Sequence, residues 1–543
     1  MTGELFILAA GAGHGMATLL VILAASSIGL GLATWLRLPV VPLMILTGIG
    51  VKVLDVWLVG MGWDVFGGIA DQDMLQEVLL LGLTFLVFAA GMELNPSRVG
   101  QQRRATILIG IAQFFVMMII GMGSAMLFGL SPLAALYMGL AVSASSTIVV
   151  VRMLQQRRQF FEPFGRLVLG VLLLQDLMII ILIAAISGGG GGVSGVVLMT
   201  LATLGLVLLT WVFIRWVAPW LIIRQKLDQE ELMLVALAIL FGFVGLAYWM
   251  DVPLVVGAFF AGVALSSFPV NGIARGQLIS LNTFFLAIFF VSLGAILVMP
   301  TAAEFALIAA LTVLIILVTP LLVVLTANWL GVTTRTAVES GLLLAQSSEF
   351  SIVIIMLGVG AGVLEPSMLS VIALVTIITM TLTTFIATDR VTWMLVRLHP
   401  SARTELDDHD LKEHIIMLGC GSNSQVLLDL LLLQRQRVVV VDEDPNTVER
   451  LRSRGIDVVR GDGADPSVLD SVDARQASVI ISTIRRVEDN ERMLAHVGKD
   501  VTVMVRVFSE VEAKRIERMG GVAIREAEAA ADDFLEWFQT QSA

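Results

Sequence analysis

The chain has 543 residues, of which 57% are hydrophobic and 15% are charged. Soluble domains are about 45–50% apolar and about 25% charged, so this composition excludes an ordinary soluble enzyme, a disordered chain and a disulfide-rich fold. Residues 1–400 carry 16 Lys and Arg against 18 Asp and Glu, whereas residues 401–543 carry 18 against 27. We therefore predict a transmembrane domain at 1–396, a polar linker at 397–413 and a cytosolic domain at 414–543.

Thirteen apolar runs of the first domain are long enough to be transmembrane helices. Their predicted bounds are 5–34, 38–54, 75–92, 105–128, 132–151, 165–187, 193–221, 231–249, 254–268, 277–299, 302–327, 337–360 and 366–396. Alternate loops hold 15 of the 16 basic residues, and Lys52 alone lies on the other side. Because Lys and Arg favour cytoplasmic loops, we expect a multi-pass membrane protein with its N-terminus outside and its C-terminal domain in the cytosol.

Thirteen spans divide into two six-helix halves joined by one linking helix, which is the inverted-repeat plan of many secondary transporters. The fifth span carries four hydroxyl side chains, those of Ser143, Ser145, Ser146 and Thr147, and the twelfth carries Gln346-Ser347-Ser348 in the equivalent place. Small polar residues can also mark a plain helix–helix contact. We predict instead a pair of broken helices whose freed backbone groups meet an ion.

Asp176 lies in the middle of the sixth span, between apolar neighbours. A carboxylate at the bilayer centre costs about 2.5–3.5 kcal/mol and is functional by default, although pairing with an arginine or capping of a neighbouring helix is the alternative. We predict that Asp176 binds either a proton or a bare monovalent cation, with the Gln175 carbonyl as a neutral ligand. Glu349 in the twelfth span is open to a site role or a helix-pairing role.

Six short β runs alternate with helical stretches in the C-terminal domain, as in a Rossmann-like parallel sheet. They fall at 414–418, 437–441, 457–460, 478–482, 501–505 and 522–524. A glycine turn follows the first run, and Asp442 ends the second run 23 positions after Gly419. This spacing is typical of a site for the phosphate and ribose of a nucleotide. A Rossmann scaffold without a ligand is the alternative, because Ser424 stands where the motif has Gly or Ala.

The predicted nucleotide-binding residues are Gly419, Gly421, Ser422, Asn423, Ser424, Asp442, Glu443, Asp462 and Gly463. Asp442 would accept from ribose hydroxyls, and Asp462 would border the adenine. The domain offers no catalytic His or Lys beside a substrate pocket, so we expect a sensor and no enzyme activity. Its excess of acidic residues argues against nucleic acid as a partner. We interpret Cys420 as a small residue that fills space in the turn, with redox sensing as the alternative.

Four membrane motifs, in this order, resemble those of Kef-type monovalent cation/proton antiporters. They are Ala144-Ser145-Ser146-Thr147, Gln175-Asp176, Phe289-Phe290-Val291-Ser292-Leu293-Gly294 and Gln346-Ser347-Ser348-Glu349-Phe350. Ser292 stands where electrogenic relatives carry a lysine. The tail resembles the TrkA-N (RCK) nucleotide-binding domain, so the resemblance covers nearly the whole chain.

The resemblance implies a homodimer in membrane lipid, in the bacterial inner membrane, that exchanges K⁺ for H⁺ and is regulated by AMP or NAD(H). The ion and proton site predicted on this basis comprises Asp176, Gln175, Ser145, Ser146, Thr147 and Glu349, with a monovalent cation at Asp176 and no other metal. The loop at 268–276 lacks the acidic, His-containing gating segment of the glutathione-gated members. Glutathione control is therefore not expected, and an ancillary cytosolic subunit is left open.

The predicted function is secondary active, electroneutral exchange of K⁺, or of Na⁺, for H⁺ by alternating access. One alternative is a nucleotide-gated, channel-like K⁺ efflux system without obligatory proton coupling. Against it, the two tyrosines, Tyr137 and Tyr248, are not part of a Gly-Tyr-Gly filter sequence. Another alternative is a membrane-anchored nucleotide sensor with a silent transport core, which the buried Asp176 disfavours.

Overall fold

The computed structural model describes residues 2–36, 38–61, 72–93, 103–156, 163–187, 192–217, 229–266, 272–398, 413–421 and 424–525, with 528, 531 and 535. The chain divides into two compact units. The first comprises Met1–Leu330 and Val338–Val391, and the second comprises Gly331–Ala337 and Thr392–Ala543. The transmembrane domain predicted from the sequence ends at 396, whereas this division gives both Gly331–Ala337 and the stretch from Thr392 onwards to the C-terminal unit.

The regular elements described before residue 399 are helices. The α-helices are α1 (Thr2–Leu36), α2 (Val40–Gly60), α3 (Gln72–Glu93), α4 (Arg103–Leu127), α5 (Pro132–Ser143), α6 (Thr147–Gln156), α7 (Pro163–Ser187), α8 (Gly192–Val212), α9 (Gln229–Trp249), α10 (Leu254–Ser266), α11 (Gly272–Ile296), α12 (Ala302–Trp329), α13 (Thr334–Leu344), α14 (Glu349–Gly360), α15 (Ser367–Ile386) and α16 (Asp389–Leu398). By length and hydropathy, nine helical spans among the described residues could cross a membrane, or ten if α13 and α14 count as one. The predicted count of thirteen is therefore not confirmed.

Both predicted helix breaks are present, whereas the contact of their freed backbone groups with an ion stays a prediction. In the fifth predicted span, α5 ends at Ser143 and α6 begins at Thr147. In the twelfth, α13 ends at Leu344 and α14 begins at Glu349, with a bend of 42° between them. Breaks of this kind are tolerated at membrane depth only where the freed N–H and C=O groups find partners inside the protein.

The last predicted span, 366–396, is wrong as a single helix. Helix α15 ends at Ile386, and Ala387 leaves the helical conformation with ψ near 60°. The charged residues Asp389 and Arg390 then open the separate, short helix α16. Hydropathy alone could not separate the two, because the apolar residues of α16 continue the hydrophobic run of α15.

Several helices of the first unit touch backbone to backbone at glycines, among them α2 with α11, α3 with α10 and α4 with α5. A Cβ atom at Gly48 of α2 would lie 2.1 Å from the Val291 carbonyl oxygen of α11, and one at Gly294 would lie 2.1 Å from the Ile45 carbonyl oxygen. Helices α3 and α10 meet in the same way at Gly91 and Gly262. No larger residue fits these crossings, so glycine is required for this close packing.

The second unit contains the predicted six-stranded parallel sheet. Its strands are β1 (Ile415–Leu418), β2 (Val438–Asp442), β3 (Asp457–Arg460), β4 (Val479–Ser482), β5 (Thr502–Val507) and β6 (Val522–Arg525), in the order β3-β2-β1-β4-β5-β6. Helices α17 (Gln425–Leu433), α18 (Pro445–Ser453), α19 (Pro466–Ser471), α20 (Val487–Val497) and α21 (Glu510–Arg518) alternate with them. The order reverses direction at β1 and β4, as in doubly wound nucleotide-binding folds.

Candidate functional site

Asp176 accepts a hydrogen bond from a hydroxyl group at the start of α6. The side chain lies in α7 and is 2% exposed. Thr147, the first residue of α6, donates from Oγ1 to Asp176 Oδ2 over 3.1 Å. No residue that the structure describes donates a hydrogen bond to the other oxygen, Oδ1. Asp176 therefore presents a buried oxygen that a proton or a cation could occupy.

Glu349 is the second buried carboxyl group of this region. It opens α14, where a negative charge is favoured by the helix dipole, and it is 3% exposed. The Ser146 side chain hydrogen-bonds to its carboxylate, and its carboxyl group interacts electrostatically with that of Asp176. Its Oε2 atom has no hydrogen-bond partner within the described ranges. The structure thus brings together the two acidic residues that the sequence analysis selected.

The Gln175 amide is tied to the break between α5 and α6. Its Oε1 atom accepts a hydrogen bond from the Ser145 N–H over 3.2 Å, and its Nε2 atom donates to Gln113 Oε1. Gln113 Nε2 in turn donates to the Ser143 carbonyl oxygen over 3.3 Å. The sequence analysis missed Gln113, although a lone glutamine in the apolar sequence of α4 is a usable signal.

The two helix breaks also contact each other. The Ser145 hydroxyl donates to the Leu344 carbonyl oxygen at the end of α13 over 2.7 Å. The Ser351 hydroxyl of α14 donates to the Ala141 carbonyl oxygen of α5. Each broken helix therefore receives a hydroxyl donor from the other, and at Leu344 this bond adds to the one from the Gln346 N–H.

Three buried threonines of α15 form hydrogen bonds with residues of the break between α13 and α14. Thr379 Oγ1 accepts from the Ser347 N–H over 3.1 Å, Thr383 Oγ1 donates to the Ala345 carbonyl over 2.9 Å, and Thr376 Oγ1 donates to Ser347 Oγ over 3.3 Å. These threonines share one face of the helix by their spacing. The sequence analysis did not select them, although that spacing was visible.

Ser292, which belongs to the third motif of the resemblance, is fully buried in α11. None of the residues in the described segments forms a hydrogen bond with its hydroxyl group. Position 292 thus carries a small polar side chain without a positive charge.

In the second unit, the described members of the predicted nucleotide site lie where β1, β2 and β3 end. Gly419 adopts a positive φ of 80°, and the next residue, Cys420, donates its N–H to Asp442 Oδ2 over 2.6 Å. Asp442 Oδ1 accepts from the Asp444 N–H over 2.9 Å. Burial raises the pKa of Asp442 in spite of these two donors. A Cβ atom at Gly421 would meet no atom of the other described residues within 4 Å, so among these residues the turn has open space beside it.

The remaining members of the predicted nucleotide site have varied surroundings. Ser424 is buried just before α17, and Gly463 packs against the Leu418 side chain. Glu443 accepts a long hydrogen bond, 3.5 Å, from the Thr336 hydroxyl. Ser422 and Asn423 lie outside the described residues.

Asp462 forms a buried ion pair that the sequence analysis did not foresee. Arg335 donates from Nη1 to Asp462 Oδ2 over 2.5 Å and from Nη2 to both carboxylate oxygens of Asp489, over 2.8 and 2.9 Å. Burial alone would raise the pKa of Asp462, but the Arg335 guanidinium outweighs it and holds that pKa below its usual value. The guanidinium also lies 4.9 Å from the centre of the Trp393 ring.

Cys420 is a fully buried residue of the glycine turn. Burial, reinforced by the negative charge of Asp442, raises the pKa of its thiol to about 11. A neutral thiol is a poor nucleophile and behaves as a small apolar group. This environment agrees with the interpretation of Cys420 as a residue that fills space.

Comparison with known proteins assigns families to both parts of the chain. Residues 21–392 match the family described as "Sodium/hydrogen exchanger, transmembrane", and residues 415–525 match the TrkA-N domain. A curated relative is the glutathione-regulated potassium-efflux system protein KefC of Salmonella schwarzengrund (strain CVM19633). It is 28% identical over 434 residues, which cover 77% of this chain and 68% of the relative.

Two solved structures are also similar to parts of the chain. One is the sodium proton antiporter MjNhaP1 from Methanocaldococcus jannaschii, which is 16% identical with a TM-score of 0.48. The match covers 72% of this chain and 98% of the antiporter chain. The TrkA-N domain of the inner membrane protein YbaL from Escherichia coli is 22% identical and covers 24% of this chain and 98% of its own, with a TM-score of 0.23.

Proposed function

Because the chain belongs to the sodium/hydrogen exchanger transmembrane family, we propose that it exchanges a monovalent cation for a proton at Asp176. The observation that carries the proposal is the environment of this carboxylate. It is buried, one oxygen is held by Thr147, and the other has no hydrogen-bond partner among the described residues. A proton and a cation cannot both occupy such an oxygen, so binding of one requires release of the other.

The exchange is electroneutral if one cation replaces one proton at Asp176 in each cycle. Access to the carboxylate alternates between the two sides of the membrane, so each ion moves in a separate half of the cycle. The ion site comprises Asp176 and Gln175 with the hydroxyl residues and the glutamate near the breaks: Ser145, Ser146, Thr147 and Glu349.

We propose K⁺ as the transported cation, supported by the potassium-efflux relative and by the Gln175-Asp176 motif. That relative is described as glutathione-regulated, and we do not extend this regulation to the present chain. The reason is the sequence at 268–276, which has no acidic residue and no histidine.

The C-terminal unit is proposed to bind AMP or NAD(H) as a regulator, without enzyme activity. Support comes from the TrkA-N match, from the sheet order and from the turn between Gly419 and Gly421, which has open space beside it among the described residues. Nucleotides bind at the carboxyl ends of the strands where the strand order reverses. A homodimer in the bacterial inner membrane completes the proposal, on the resemblance to Kef-type antiporters.

Proton movement in proteoliposomes tests the exchange directly. A K⁺ gradient is imposed with the membrane potential clamped at zero, and the internal pH is followed for the wild type and for Asp176→Asn. We expect K⁺-driven proton flux in the wild type and none in the variant, and replacement of K⁺ by Na⁺ measures selectivity. Potassium flux without coupled protons would reject the exchanger and leave a channel-like efflux system.

A further inference from the structure

We infer that Gln113 of α4 is a positioning residue that fixes which end of the Gln175 amide faces the helix break. This inference rests on the proposed exchange at Asp176. Four groups form one directed series of hydrogen bonds. It runs from the Ser145 N–H to Gln175 Oε1, from Gln175 Nε2 to Gln113 Oε1, and from Gln113 Nε2 to the Ser143 carbonyl oxygen.

The two backbone ends of this series determine its direction. The Ser145 N–H can only donate, so Gln175 must turn its carbonyl oxygen towards it. The Gln175 amino group then faces Gln113, which must present its own carbonyl oxygen. The Gln113 amino group is thereby left to donate to the Ser143 carbonyl, which can only accept. Rotation of either amide by 180° would place donor against donor or acceptor against acceptor.

Because both glutamines are buried, this one orientation of the amides is strongly preferred. Gln113 is 1% exposed and Gln175 is fully buried, so water cannot replace a lost partner. Ser143 is the last residue of α5, and Ser145 lies within the break that ends at Thr147. The two amides thus join the backbone groups freed by this break, directly beside the residue that holds Asp176.

The orientation of the Gln175 amide determines the partial charge that a cation meets near Asp176. An oxygen of Gln175 attracts a cation near Asp176, whereas an amino group would repel it. Without an acceptor at position 113, the Gln175 amide is no longer restrained in one direction. We therefore expect the affinity for the cation to fall, because residues that orient a metal ligand by hydrogen bonds affect the affinity for the metal.

Transport kinetics of reconstituted wild type, Gln113→Met and Gln113→Glu test the inference, with Met117→Leu as a buried control on the same helix. We expect Gln113→Met to raise the KM for K⁺ about 10-fold or more, with a smaller change in maximal rate, and Met117→Leu to behave like the wild type. A protonated glutamic acid can accept from Gln175 and donate to Ser143. Gln113→Glu should therefore approach the wild-type KM at acidic pH and depart from it at alkaline pH.

A wild-type KM in Gln113→Met, or a loss of rate at unchanged KM, would overturn the positioning role and leave the exchange proposal intact. If Gln113→Met does not fold, a ratio of the Gln113→Glu KM to the wild-type KM that stays the same across pH overturns it equally. A wild type that shows no coupled exchange would instead reject the exchange proposal, and the inference with it.

Discussion

The hydroxyl group of Ser145 donates a hydrogen bond over 2.7 Å to the carbonyl oxygen of Leu344, 199 positions further along the chain. The donor lies in the break between α5 and α6, and the acceptor ends α13. The Ser351 hydroxyl makes the reciprocal bond to Ala141. The two broken helices are therefore stabilised jointly, and neither break has a complete set of partners by itself.

Substitution of Ser145 by alanine should destabilise the first unit. It removes one of the two hydrogen bonds to the buried Leu344 carbonyl, which keeps the bond from the Gln346 N–H, and one intramolecular hydrogen bond contributes about 0.5–1.5 kcal/mol. Thermal unfolding in detergent measures the effect. Ser187→Ala is the matched control, because that hydroxyl bonds a carbonyl within its own helix, and we expect it to unfold like the wild type. Equal unfolding temperatures for both variants would contradict the joint stabilisation of the breaks.

Substitution of Glu349 by glutamine separates its two proposed roles. If the carboxylate attracts the cation beside Asp176, Glu349→Gln should raise the KM for K⁺ and leave the unfolding temperature nearly unchanged. A role limited to helix pairing would lower the unfolding temperature and leave the KM unchanged. Glu365→Gln serves as the control, since Glu365 is exposed, and transport assays with both variants decide between the roles.

Removal of the Arg335 guanidinium should destabilise the second unit strongly. Asp462 and Asp489 would be left as buried carboxylates without this partner, and breaking a buried ion pair costs about 3–5 kcal/mol. Arg454→Gln removes an arginine from an exposed pair with Asp429, for which about 0–1 kcal/mol is expected. Limited proteolysis across a temperature series should therefore cleave Arg335→Gln earlier than Arg454→Gln. Identical cleavage profiles would show that the buried pair contributes no more than the exposed one.

The thiol of Cys420 should resist alkylation in the folded chain. With a pKa of about 11, roughly one thiol in a thousand is ionised at pH 8, and the thiolate is the reactive form. The sequence contains one cysteine, so labelling with iodoacetamide reports this site alone. We expect slow labelling in buffer and fast labelling in denaturant. Fast labelling of the folded chain would instead favour a redox role.

Substitution of Asp442 by alanine should weaken nucleotide binding. The change removes the proposed acceptor for ribose hydroxyls and the partner of the Cys420 N–H. Titration calorimetry with NADH and with AMP measures the effect, and we expect at least about a tenfold loss of affinity, since unpaired polar groups at a nucleotide site discriminate strongly. Asp429→Ala removes an exposed carboxylate and is the control. Unchanged affinity in Asp442→Ala would place the nucleotide elsewhere.

Local sequence patterns were sufficient to predict the sheet and the breaks. Each strand shows as a short apolar run between turn residues, and each break shows as a run of hydroxyls inside an apolar span. Asp176 could be predicted as a site residue for a related reason. A single carboxylate in a long apolar run stands out even when its neighbours in the folded protein are unknown.

Partners distant in sequence could not be predicted in this way. Arg335 and Asp462 are 127 positions apart, and both are ordinary charged residues near the ends of their elements. Gln113 and Gln175 meet across 62 positions, and single-sequence reasoning has no means of pairing two isolated glutamines. The end of α15 was misjudged for a different reason, since hydropathy averages over the change of direction at Ala387.

The glycine contacts of α2 with α11 and of α3 with α10 restrict how the membrane helices can move. Helices separated by side chains can slide past one another by changes of rotamer. At Gly48 and Gly294, and at Gly91 and Gly262, the main chains themselves are in contact, so sliding would require the two backbones to separate first. Each pair should therefore behave as one mechanical part. The hinges and sliding surfaces of the transport cycle are then to be sought at contacts where side chains intervene.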